Sequence, residues 1–202
     1  MLILCSNGLS SQQLLSAIVP FVRKGRTAAI VVTADNEYKH KNYHIPRNIE
    51  ELQSLDLSTD LFDIDISPAE QLLSYDVVEF IGGNPFYLLN SLRLHRSLDV
   101  LKKIAQEKVL IGWSAAAAVF GPSLDLLNQY TPEMNFLDII DLNGLSLTDI
   151  YVLPHYNKFL HRFNQFEERC REFEIKHKIE VVRLNDGDGV LINGDKKIII
   201  RG

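Results

Sequence analysis

The sequence predicts an α/β protein built on a mostly parallel sheet, with an antiparallel hairpin at its C-terminal end. Three observations carry this. Short apolar runs rich in β-branched residues, such as Ala28–Thr33 and Val77–Ile81, alternate with longer stretches of helical periodicity. Ala28–Thr33 is a continuous apolar run, as a strand covered on both faces is. Near the end, Val190–Ile192 and Lys197–Arg201 flank Asn193-Gly194, a strong signal for a type I′ hairpin turn.

The elements follow in order. Leu2–Cys5 reads as a strand, with a turn at Ser6, Asn7 and Gly8. Ser11–Lys24 reads as a helix with Leu14, Leu15, Ile18 and Val22 at helical spacing and Pro20 as a kink. Ala28–Thr33 is a buried strand, Asn48–Leu55 a short helix, and Leu61–Ile66 an alternating strand. Ser67-Pro-Ala-Glu70 has the form of a capping box with Pro at the first helical position. Val77–Ile81 is a strand ending in Gly82-Gly83, after which Asn84 caps a helical region to Glu107 with a break near Ser97. Val109–Ile111 is a strand, and a small-residue helix follows Ser114. Pro122–Asn143 lacks a clear period and reads as a long loop over the site. Ile150–Leu153 and Glu180–Leu184 are strands around an amphipathic helix, Phe159–Lys176. No linker or repeat divides the chain, so residues 1–202 are expected to form one domain.

The bulk properties exclude several classes. A formal net charge of −5 with scattered basic residues argues against binding nucleic acid or an anionic membrane surface. No apolar stretch reaches membrane-spanning length. The two cysteines, Cys5 and Cys170, make no disulfide framework and fit a reducing compartment. The apolar start Met1–Cys5 has no basic lead-in, so a cytoplasmic location is expected. His40 and His44 lie in a polar loop and read as surface, and no histidine or cysteine spacing suggests a metal site. No dinucleotide fingerprint is present, so no cofactor is expected.

In an open α/β sheet, chemistry gathers at the carboxyl ends of the strands. Three ends stand out: Gly82-Gly83-Asn84-Pro85-Phe86, Gly112-Trp113-Ser114, and Pro154-His155-Tyr156. Val109–Val119 has the shape of a nucleophile elbow, in which a strand runs through a sharp turn bearing a serine into a helix. The helix N-terminus beneath Ser114 offers free N–H groups for a developing oxyanion. The glycine pair lets backbone N–H groups approach a ligand. His155 is the histidine best placed to serve Ser114 as a base.

These segments, in this order, resemble the peptidase E (α-aspartyl dipeptidase) family. Gly82–Leu89 is similar to its Gly-Gly-Asn-Thr-Phe-x-Leu-Leu segment, Gly112–Ala117 to its Gly-x-Ser-Ala-Gly-Ala motif, and Pro154-His155 to its Pro-His segment. The resemblance implies a three-layer fold related to class I glutamine amidotransferases, and a serine peptidase acting on short peptides. It assigns Ser114 as nucleophile, His155 as general base and acid, and the Gly83 and Ala115 N–H groups as the oxyanion hole. Two acids could orient His155. Asp186 follows a strand end, as Ser114 and His155 do, and is preferred. Glu133 is the alternative. Ala116 and Pro85 replace the family's Gly and Thr, and the basic residue that reads a substrate aspartate is unmatched, with Lys158 and Arg162 in the region where it would lie. Two other readings stand beside this one: a catalytically impaired relative that binds a small peptide or a protein, and a hydrolase of a different amide, as in related cyanophycin-degrading enzymes. The oligomeric state is not legible.

Overall fold

The computed structural model describes residues 1–23 and 25–202. The first strand β1, Leu2–Cys5, leads to helix α1, Gln12–Ile18, which Ser11 caps by accepting the Leu14 N–H. Pro20 ends that helix early in a 3₁₀ turn, Val19–Phe21, and Lys24, where the expected helix stopped, lies outside the described residues. Strand β2 is Arg26–Val31 and helix α2 is Ile45–Gln53, beginning three residues before the expected start because Pro46 fits the first turn. Strand β3, Leu57–Phe62, lies four residues upstream of the expected run. It is an edge strand paired only with β2, and beyond Phe62 the chain turns so that Asp63 can accept from Thr33 at 2.8 Å.

The expected capping box at Ser67–Glu70 does not form. The Ser67 N–H is taken by the Asp63 carbonyl at 3.0 Å, and a 3₁₀ helix runs from Ala69 to Ser74 with no side-chain cap. Strand β4, Val77–Phe80, is followed by helices α3, Pro85–Leu94, and α4, Leu98–Glu107, with the break where Ser97 was expected to place it. Strand β5, Val109–Trp113, passes through Ser114 into helix α5, Ala115–Phe120. The segment expected as a long loop contains helix α6, Asp125–Tyr130, and a 3₁₀ turn, Pro132–Met134.

Strand β6, Tyr151–Leu153, leads into a one-turn helix α7, Tyr156–Phe159, and then α8, Phe166–His177. The single helix expected over Phe159–Lys176 is interrupted because Gln165 takes a left-handed conformation, φ 50°. That break lets both Phe163 and Phe166 reach Tyr130, with ring centroids 5.7 and 4.6 Å away. Strands β7, Val181–Arg183, β8, Gly189–Asn193, and β9, Lys196–Ile200, complete the chain. The β8–β9 turn has Gly194 and Asp195 at its centre, with φ positive at Gly194 alone. This is the type II′ pattern rather than I′.

Seven strands form one sheet in the order β3-β2-β4-β5-β1-β8-β9, parallel from β3 to β1 and antiparallel at β8 and β9. Strand alternation divides the core. Leu2, Leu4, Val31, Phe80 and Leu110 pack on one face against α3, α4 and α5, while Ile3, Cys5, Ile30, Val77 and Ile111 pack on the other against α1 and α2. The result is the three-layer α/β arrangement expected. β6 and β7 form a separate parallel pair, buried against α6 and α8 through Leu126, Leu153, Phe166, Cys170 and Val181. Among the described residues, no helix is long and apolar enough to cross a membrane.

Candidate active site

Strands β4, β5 and β1 are neighbours, so their carboxyl ends bring Gly82-Gly83, Ser114 and Ser6 together. Ser114 stands at φ 53° and ψ −113°, a strained conformation for a residue bearing a side chain. Its N–H donates to the Cys5 carbonyl at 3.0 Å, tying the elbow to β1. The turn needs Gly112: a Cβ there would lie 2.6 Å from the Phe120 ring and 3.2 Å from the Ala116 carbonyl carbon. The glycine on that side leaves room for Ala116, which is fully buried.

His155 and Asp186 arrive from the second sheet. Leu153 and Arg183 are register partners, and each strand ends two or three residues before its candidate group. His155 is held in a left-handed conformation, φ 56° and ψ 30°, at the start of α7. Its Nδ1–H donates to Asp186 Oδ1 at 2.6 Å, and the Ser114 hydroxyl donates to its Nε2 at 2.9 Å. The carboxylate can only accept, so the proton sits on Nδ1 and leaves Nε2 free to take one. Burial pushes the His155 imidazolium down, against the pull of Asp186, and Lys158 adds to the push. Burial acts to raise Asp186, but hydrogen bonds from Lys158, His155 and Ser6 hold its carboxyl below the usual range. The site therefore presents a neutral imidazole between a hydroxyl and an ionised carboxylate.

Three further residues contact Asp186, none of them expected in that role; Lys158 was named only in the region of a substrate-reading basic residue. The Ser6 hydroxyl donates to Asp186 Oδ1 at 3.0 Å and accepts the His155 backbone N–H at 2.8 Å. Lys158, itself exposed, contacts Asp186 Oδ2 at 2.5 Å, so its ammonium is paired with the candidate acid. Asn157 Oδ1 accepts the Asp186 N–H at 3.3 Å. The only sequence signal for Ser6 was its place at the end of β1. The structure does not bring Glu133 to His155. It is exposed on the turn after α6 and, among the described residues, has no hydrogen bond to the imidazole.

Gly83 has φ 152°, and a Cβ there would lie 2.3 Å from the Ala34 carbonyl oxygen, so only glycine fits. Asn84 caps α3 by accepting the Phe86 and Tyr87 N–H groups at 2.9 and 3.0 Å, while its own N–H donates to Ala34. Among the described residues neither the Gly83 nor the Ala115 N–H has a backbone acceptor, so both are available to a ligand oxygen.

Ser114 and His155 lie at the junction of two hollows. One, of about 240 Å³, is lined by Ala115, Leu127, Tyr130, Met134, Pro154 and Phe159, with Glu133 and Arg162 also on its wall. The other, of about 470 Å³, is more polar and includes Asn7, Asp35, His44 and Lys158. His44, expected at the surface, is half-buried there, its ring edge-on to Trp113 at 5.3 Å. His40 is exposed. Among the described residues, no group of three or more His, Cys, Asp or Glu side chains could hold a metal ion.

The family model described as Peptidase family S51 matches residues 2–200 of this chain. An uncharacterized peptidase of Listeria monocytogenes serovar 1/2a is 25% identical over 185 residues, covering 88% of this chain and 87% of the relative. Peptidase E of Shewanella sp. is 23% identical over 210 residues, covering 100% of this chain and 86% of the relative. Among solved structures, a protein of Listeria monocytogenes EGD-e provisionally assigned as peptidase E superposes with a TM-score of 0.78 at 23% identity, covering 100% of this chain and 98% of that one. A peptidase from an acI-B1 Actinobacterium gives a TM-score of 0.66 at 15% identity, covering 100% and 90%.

Proposed function

From the premise that the chain belongs to peptidase family S51, and is therefore a peptidase, we propose that it hydrolyses short peptides by acyl transfer through Ser114. The observation that carries this reading is the unbroken Ser114–His155–Asp186 hydrogen-bond chain at 2.9 and 2.6 Å. His155 Nε2 takes the Ser114 proton as Oγ attacks the scissile carbonyl. The resulting oxyanion is stabilised by the Gly83 and Ala115 N–H groups. The tetrahedral intermediate collapses, His155 protonates the departing amine, and an ester to Ser114 remains. Water then attacks that ester, His155 accepting its proton, and the carboxylic acid product leaves as the proton returns to Ser114 Oγ. Asp186 holds His155 in the required tautomer and stabilises the imidazolium formed in each half-reaction. Glu133 has no part in this scheme.

Small hollows on a recessed serine suit short peptides better than folded proteins. The carboxylate on His155 favours hydrolysis over a binding-only role. The reading treats residues 1–202 as one working unit in a reducing, cytoplasmic setting, in keeping with the unpaired Cys5 and Cys170. The test is labelling with a fluorophosphonate. Covalent mass on the Ser114 peptide of the folded protein, lost in His155→Ala, is expected. Absence of labelling on Ser114 in folded protein would contradict the reading.

A further inference from the structure

We infer that the hollow beside Ala115 receives an apolar side chain, that of the residue supplying the scissile carbonyl. The inference rests on the hydrolytic reading of Ser114. Its walls include Pro85, Ala115, Leu127, Tyr130, Met134, Pro154 and Phe159. At about 240 Å³ it falls just under the size of sites that hold a drug-sized ligand, so it suits one side chain.

The charges nearby do not equip it for an acidic side chain. Among the described residues Arg162 is the one cation on its wall, and it is exposed, its guanidinium 5.3 Å from the Phe163 ring centroid and 6.0 Å from that of Phe159. Arg169 lies behind the wall, 4.6 Å from the Tyr130 ring centroid and hydrogen-bonded to the Gln129 carbonyl. Lys158 is paired with Asp186 and lines the other hollow. The Glu133 carboxylate on the same wall would repel a second acid. A carboxylate buried among these groups would lose its hydration without a buried partner, whereas a leucine or methionine side chain would gain from burial.

The side of the scissile bond follows from what each hollow shares with the site. Ala115, whose N–H faces the carbonyl oxygen in the proposed reaction, lines only the apolar hollow. Lys158, which contacts Asp186 beyond the Nδ1 side of His155, lines only the polar one. The departing amine takes its proton from His155 and leaves through the polar cleft, so the acyl residue occupies the apolar one.

The experiment compares X-Ala dipeptides, X being Leu, Met, Phe, Asp or Lys, and the reversed Ala-X series. Turnover is measured with the wild type and Met134→Arg, and binding is measured calorimetrically with Ser114→Ala. The expected result is kcat/KM at least about tenfold higher for Leu-Ala and Met-Ala than for Asp-Ala. Met134→Arg narrows or reverses that ratio, and Met134→Ala weakens Leu-Ala if the arginine variant does not fold. A preference for Asp or Lys, no preference, or an apolar preference confined to the Ala-X series would overturn the inference while leaving hydrolysis intact. If the wild type turns over nothing, tighter binding of Leu-Ala than Asp-Ala to Ser114→Ala still supports the apolar hollow while refuting the hydrolytic reading, and equal or weaker binding overturns both.

Discussion

Ser6 and Asp186, 180 residues apart, share a hydrogen bond of 3.0 Å on the same carboxylate oxygen that accepts from His155. The Ser6 hydroxyl also accepts the His155 backbone N–H at 2.8 Å. One small side chain at the end of β1 thus fixes both the acid and the backbone of the candidate base. The elbow is tied to the same strand end through the Ser114 N–H and the Cys5 carbonyl.

Ser6→Ala removes a hydrogen bond to an ionised group and leaves the His155 N–H without its acceptor. Such bonds contribute about 1.5–3 kcal/mol, so kcat is expected to fall at least about tenfold with KM nearly unchanged. Losing the Ser6 bond also weakens what holds the Asp186 carboxyl low, so Asp186 should titrate higher. Unchanged kcat in Ser6→Ala would show that His155 and Asp186 position themselves without it.

Asp186→Asn keeps the shape of the acid but invites the wrong imidazole tautomer. A loss on the order of ten thousandfold in kcat is expected, as for the third member of other serine triads. Glu133→Gln should cost far less. Equal losses in the two variants, measured on one substrate, would return Glu133 to consideration.

The base must be neutral to act, and burial lowers the His155 pKa. The acid limb of kcat/KM should therefore have its midpoint below the ordinary histidine value of about 6.5. Lys158 contributes to that lowering, so Lys158→Gln is expected to move the limb to higher pH. A limb unmoved in Lys158→Gln, or moved to lower pH, would rule out the electrostatic role of Lys158.

Glu79 sits in the middle of β4, fully buried, with Asn48 Nδ2 at 3.3 Å from Oε1 and no partner on Oε2 among the described residues. Burial first, and then the nearby Glu51 carboxylate, raise its pKa from 4.5 to about 8. The native state thus holds a proton that the unfolded chain releases, so this group's stabilisation is complete below about pH 4.5 and is lost as pH rises to about 8. Between pH 5 and 8 the Tm of the wild type should fall relative to that of Glu79→Gln by at least about 2 °C, the shift of about 1 kcal/mol in a chain this size. Parallel Tm profiles for the two proteins would refute a protonated Glu79.

The fold was legible where local chemistry and tertiary need agree. Asn84 caps α3 as its position implies, and the break falls at Ser97, where Arg96 before it takes a left-handed conformation, φ 51°. The edge strand β3 was misplaced because polar Thr59, between Leu57 and Leu61 on the inward side, breaks the alternation, while buried Ile64 extends the apolar pattern past the strand's true end. Asp186 was legible as a strand-end acid, but nothing near Ser6 or Lys158 in sequence says that they meet it, since those contacts exist only once β1 and α7 converge on it. Pro122–Asn143 was opaque because α6 buries just two side chains, Leu126 and Tyr130, too few to set a helical period.

The central claim is that Ser114 is the nucleophile. The most direct measurement is hydrolysis of a dipeptide library, Leu-Ala and Asp-Ala included, by the wild type and by folded Ser114→Ala. The account predicts turnover by the wild type and loss of it in Ser114→Ala, with the variant's thermal unfolding largely preserved. Turnover that survives in Ser114→Ala, or a folded wild type that cleaves no member of the library, would contradict it.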